Sequence, residues 1–159
     1  MEKRIDIRSK GLEAFKAMYG LGKYLSKASV EKSLLNLVYF RVSQINGCAF
    51  CLDMHAKDMR EDGESEQRLY VLNAWREAPF YSERERAALA WAEDLTKLGN
   101  GAVSDEVYRK AIKEFSEQEL IDLTVAVITI NSYNRINLAF PMPDVVGTYQ
   151  PGQFAVQNN

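Results

Sequence analysis

Apolar positions recur along this chain at helical spacing, and no run of clear apolar–polar alternation interrupts them. Residues 9–27 set Leu12, Phe15, Tyr19 and Leu25 on roughly one face, with Gly20 and Gly22 weakening the middle. Ser29 is suited to cap a second helix, in which Leu34, Leu35, Leu37, Val38, Val42 and Ile45 leave almost no polar side. A helix apolar on most sides is buried, in a core or under a neighbouring subunit. Asn46-Gly47 breaks it, and a third helix opens just after, running to Asp62-Gly63, where the glycine suits a C-terminal cap. Ser65 starts a helix to about Arg76, with Pro79 in the turn beyond. Ser82-Glu83-Arg84-Glu85 and Ser116-Glu117-Gln118-Glu119 both have the form of a capping box. The first opens a helix to Leu98, ended by Gly99-Asn100-Gly101; the second opens a long apolar helix carrying Leu120 to Leu138. Between them Ser104 caps a short helix to Glu114. The pattern predicts an all-α fold: one helical domain over 1–143, then a tail over 144–159. The tail's Gly, Pro, Gln and Asn suit a segment that docks on a neighbour or is loosely ordered.

A chain of 159 residues that is 47 % hydrophobic fits one packed domain. Its net charge of −2 is spread among mixed acids and bases, with no basic block for a nucleic acid and no polybasic membrane anchor. The longest apolar stretch, Leu123 to Ile130, falls far short of the roughly 20 residues that span a bilayer. Met1-Glu-Lys-Arg-Ile-Asp6 lacks the apolar core of a secretory signal. A cytoplasmic protein with no nucleic-acid and no membrane partner is therefore expected. The two helices with little polar surface predict a homo-oligomer.

The chemistry is concentrated in Gly47-Cys48-Ala49-Phe50-Cys51-Leu52-Asp53-Met54-His55, which holds both cysteines and the single histidine of the chain. On a helix, residues three apart have Cα atoms about 5 Å apart. Disulfides accept about 4.4 to 6.8 Å, so the pair can cycle between dithiol and disulfide with little backbone movement. A helix N-terminus favours a thiolate over a thiol, which points to Cys48. His55 lies one turn beyond Cys51, the better spacing for proton transfer, which points to Cys51. Local geometry leaves open which sulfur attacks first.

The run Arg41-Val-Ser-Gln-Ile-Asn-Gly-Cys-Ala-Phe-Cys-Leu-Asp-Met-His55 resembles the signature of the AhpD-like alkyl hydroperoxidases of the carboxymuconolactone decarboxylase superfamily. The resemblance continues through Trp75-Arg-Glu-Ala-Pro79, Ser82 to Trp91 and Asn131-Ser-Tyr-Asn-Arg135. It implies an AhpD-like helical bundle assembled as a trimer or hexamer. It also implies a peroxidase that reduces hydrogen peroxide or organic hydroperoxides without a bound cofactor or metal and is re-reduced by an external dithiol protein. By the same resemblance Cys51 meets the peroxide and Cys48 resolves it. The family pattern has a glutamate of a proton relay twelve residues before the first cysteine, where this chain has Asn36. An amide cannot accept a proton at neutral pH, so either His55 works alone or through water, or an acid elsewhere substitutes, with Asp58 and Glu31 as the candidates.

Other readings of the same residues are plainer. The two cysteines can be small buried hydrophobes, or two ligands of a zinc site that lacks a full protein set. The pair can also serve a non-enzymatic redox sensor, while a lactone decarboxylase has little use for two thiols. Trp75 and Trp91 fit core packing, Tyr39 and Phe50 core or pocket lining, and Arg41 and Arg135 buried ion pairs or a subunit contact.

Overall fold

The computed structural model describes residues 4–99 and 101–153; Met1 to Lys3, Asn100 and the tail end 154–159 lie outside the described residues. The described residues form eight α-helices and two 3-10 turns, with no strand. They are α1 (Ile7–Lys10), α2 (Leu12–Leu25), α3 (Lys32–Asn46), α4 (Ala49–Glu61), α5 (Glu66–Val71), α6 (Glu83–Lys97), α7 (Asp105–Glu114) and α8 (Glu117–Ala139). The 3-10 turns are Leu72–Ala74 and Pro143–Val145.

The lack of a polar side on α3 has its reason in packing, because this helix is the hub against which α4, α6 and α8 rest. Leu34, Leu35, Val38 and Val42 enter one core, with Ala88, Trp91, Leu123 and Val127 of α6 and α8. Leu37 and Phe40 enter a second core, with Met59, Leu69, Leu72, Trp75 and Leu89. Burial on both sides leaves α3 only a narrow face outside the cores, where Lys32, Asn36 and Tyr39 line a cavity. Ala87, Ala88, Ala90 and Ala92 keep α6 thin along this contact, and all four are buried. Helix axes can approach closely only where the side chains between them are short.

Both expected capping boxes form, at Ser82/Glu85 and Ser116/Glu119, each satisfying amide donors at both ends of the first turn. Such a cap contributes about 1 kcal/mol. The Ser29 cap does not form. Glu31 holds the N-cap position of α3 without a side-chain bond, because Ser29 gives both its N–H and its hydroxyl to buried Asp122 at 2.9 Å. The expected helix over 9–27 is divided at Gly11, where a Cβ would come within 2.7 Å of the Ile7 carbonyl oxygen. The helix from Ser65 ends at Val71 and tightens into a 3-10 turn before Trp75.

Arg41 of α3 pairs with Glu93 of α6 at 2.8 Å, and both side chains are largely buried. Glu93 also accepts from the Trp75 indole at 2.9 Å and from Arg76 at 2.8 Å. Burial alone would raise the Glu93 carboxyl, but these three donors outweigh it and hold the group down at about 2. Arg135 bonds to Asn131 within its own helix instead.

Candidate functional site

Gly47 ends α3 in the left-handed region at φ 70°, a conformation that costs a side-chain-bearing residue about 1–2 kcal/mol. That turn delivers Cys48 to the N-cap of α4 and Cys51 to its third residue. The two are joined as a disulfide with Cα atoms 5.3 Å apart, and Cys48 Sγ also accepts the Cys51 backbone N–H at 3.3 Å.

The floor under this turn is a chain of amides. Asn46 donates to Asn131 at 3.0 Å and to Asn134 at 2.9 Å, and Asn134, fully buried, donates to the Ser43 hydroxyl at 3.1 Å. The end of α3 is thus tied to α8. On α8, one turn beyond Asn134, Asn137 donates from Nδ2 to Cys51 Sγ at 3.4 Å.

His55 follows Cys51 by one turn of α4 and is 8 % exposed. Its Nε2 is buried without a hydrogen-bond partner among the described residues, and burial pushes the imidazole down to about 4, so the ring is neutral at pH 7. The Tyr39 ring lies 5.5 Å from it, centre to centre, and burial pushes that phenol up to about 12.

Cys51, His55, Asn36 and Asn137 face a common cavity of about 1050 Å³; Cys48 is not among its lining residues. Most of the wall is apolar and aromatic, from Phe15, Tyr39, Phe50, Met54, Ile130 and Tyr133. The C-terminal segment supplies another side with Met142, Tyr149 and Pro151. That segment is held on α4: Asp53 accepts the Gly147 N–H at 2.9 Å, Lys57 donates to the Gly147 and Tyr149 carbonyls at 3.1 Å, and Asp58 accepts the Gly152 N–H at 3.0 Å. The tail therefore docks on its own chain over these residues.

The structure thus places Cys48 at the N-cap of α4, Cys51 in its first turn and His55 one turn further along the same helix. Asn36 lines the same cavity and donates to Asp62 at 3.4 Å. Of the two substitute acids, Asp58 is in the cavity wall. Glu31 is not, being paired with Arg84 at 3.0 Å. Asn137 and Tyr149 escaped the sequence reading, since they lie 86 and 91 positions from the α4 residues they touch and no local pattern marks them. Among the described residues no group of three or more His, Cys, Asp or Glu is placed to hold a metal ion. No described helix is long and apolar enough to cross a membrane.

A helical bundle that presents a Cys-x-x-Cys pair at a helix head, with a buried histidine one turn below, defines an AhpD-like thiol protein. The profile of the carboxymuconolactone decarboxylase family matches residues 12–94, and the chain belongs to that family. It is 41 % identical over 139 residues to the uncharacterized protein YdfG of Bacillus subtilis, covering 87 % of this chain and 95 % of that one. It is similar to the crystal structure of an Agrobacterium tumefaciens protein of unknown function, described as a candidate antioxidant defence protein AhpD. The TM-score is 0.83 and the identity 38 %, over 94 % of this chain and 99 % of that one. The debrominase Bmp8, solved with 2,3,4-tribromopyrrole, shares the fold at a TM-score of 0.72 and 20 % identity, over 84 % of this chain and 71 % of that one.

Proposed function

We propose that this protein is a thiol-dependent peroxidase that reduces organic hydroperoxides, and hydrogen peroxide, through a dithiol–disulfide cycle of Cys48 and Cys51. The observation that carries the reading is that Cys51 and His55, one helical turn apart, both line a mainly apolar cavity that Cys48, at the N-cap of the same helix, does not line. An apolar wall favours a peroxide with an organic body.

In the reduced chain the Cys51 thiolate attacks the distal oxygen of ROOH. The S–O bond forms as the O–O bond breaks, the sulfur gives up two electrons, and the leaving oxygen takes a proton to become ROH. The Cys48 thiol then displaces the hydroxyl of the sulfenic acid, releasing water and closing the disulfide. Two thiols and ROOH thus become one disulfide, ROH and water. An external dithiol protein returns two electrons and two protons. His55, neutral at pH 7, takes the thiol proton and passes it to the leaving oxygen.

A homo-oligomer, trimer or hexamer, belongs to the same reading, as does a cytoplasmic location where a dithiol reductant is at hand. Ile121 and Ile128, one face of α8 and each about half exposed, support a subunit contact.

Asn36 favours a second reading. With an amide at the relay position, the pair can exchange disulfides with a partner, as a sensor does, without turning over peroxide. Hydroperoxide consumption with excess dithiol separates the two, comparing wild type with Cys51→Ser and Cys48→Ser. Sustained turnover that both substitutions abolish is the peroxidase outcome. One disulfide per chain followed by arrest gives the site to exchange.

A further inference from the structure

We infer that Asn137 is a catalytic residue of this site: its side-chain amide is the donor that holds the Cys51 sulfur as a thiolate facing the cavity. The reaction it serves rests on the peroxidase reading; the contact itself does not. A thiolate at neutral pH needs positive charge or N–H donors around it. Among the described residues neither sulfur shares a hydrogen bond with lysine or arginine; the two contacts to sulfur are from Cys51 N–H and from Asn137. Lys32 reaches the cavity rim but is committed to Asp62 at 2.7 Å. His55 shares the cavity as a buried ring whose Nε2 has no partner among the described residues to stabilise a charge.

Neutral donors remain, and the fold divides them between the two sulfurs. Cys48, as N-cap, takes a backbone N–H of α4. Cys51 lies inside the first turn, its own N–H already given to Cys48. Its side-chain donor comes from α8, where Asn137 Nδ2 is 3.4 Å from Sγ. The amide is well placed to do this, because the preceding turn of α8 is anchored through Asn134 to Ser43 and Asn46. A thiolate accepts and does not donate, so an amide N–H stabilises it and a carboxylate in the same place repels it.

The test reads the Cys51 thiol without any peroxide. In a Cys48→Ser background, where serine keeps the N-cap, the rate of alkylation by iodoacetamide is followed against pH. Asn137→Leu removes the donor at similar volume and is expected to move the midpoint up by about one pH unit, a roughly tenfold slower reaction below both midpoints. Asn137→Asp is expected to move it further in the same direction. A midpoint that stays put in the variants that fold, or falls in Asn137→Asp, overturns the assignment. Because the readout is the thiol itself, a chain that fails to turn over hydroperoxide still gives the answer. Full turnover with an unmoved midpoint would sink the role of Asn137 and leave the peroxidase standing.

Discussion

The Tyr149 hydroxyl lies 2.8 and 3.0 Å from the two carboxylate oxygens of Asp58, three residues beyond His55 on α4. Through that contact a C-terminal segment rich in turn-forming residues becomes a wall of the cavity. Tyr149 itself is 3 % exposed. A hydrogen bond to a charged acceptor contributes about 1.5–3 kcal/mol. Tyr149→Phe is expected to lower unfolding free energy by about that amount in urea and to speed amide exchange over 147–152. It should also let a small thiol reduce the Cys48–Cys51 disulfide severalfold faster. Unaltered exchange in the segment would show that Tyr149 is not what holds it.

His55 is the only histidine of the chain, so its proton resonances can be assigned without ambiguity. With burial pushing it down to about 4, the imidazole signals should titrate near there and not near 6.5. The sign for stability follows. Between pH 6.5 and 4 the unfolded chain binds the proton that the folded chain refuses, so stability is full above 6.5 and falls as pH drops toward 4. His55→Gln should flatten that part of the stability profile. A histidine that titrates near 6.5 would mean that water reaches the ring.

Glu93 carries the opposite kind of group in the same direction of pH. Its folded carboxyl is held at about 2, against an ordinary value of 4.5, despite its burial. The stability it contributes is present above 4.5 and lost as pH falls toward 2, a contribution of order 3 kcal/mol. Glu93→Gln leaves Arg41 buried without its counter-charge and should cost about 3–5 kcal/mol at pH 7. The same substitution should weaken the acid transition. Denaturation curves at pH 7 and pH 3 check both halves.

Asn36 donates to Asp62 from a position that faces the cavity. Asn36→Glu restores a proton acceptor there, beside a second carboxylate that will raise its pKa. We expect peroxide turnover to increase by about tenfold or more, as a positioned general base does. The gain should appear as pH rises through the new group's pKa. A flat response in the pH–rate profile would show that His55 completes the proton transfer without this position.

Much of the fold and the reactive cluster were determined by the sequence alone, because each depends on neighbours a few positions apart. The capping boxes at Ser82 and Ser116 satisfy groups within one helical turn, so their residue pattern is enough. The same holds for Cys48, Cys51 and His55, whose spacing on one helix sets their meeting. Ser29 shows the limit. Its local pattern is that of a cap, yet a buried carboxylate 93 positions away wins its hydroxyl, since burying Asp122 without donors would cost more than one cap contributes. The cavity, the neutral state of His55, the anchoring of the C-terminal segment by Tyr149 and the approach of Asn137 to Cys51 were decided by tertiary structure. They depend on how α8 and the chain end fold back over α4, and long-range contact and burial leave no mark in the spacing of residues along the chain.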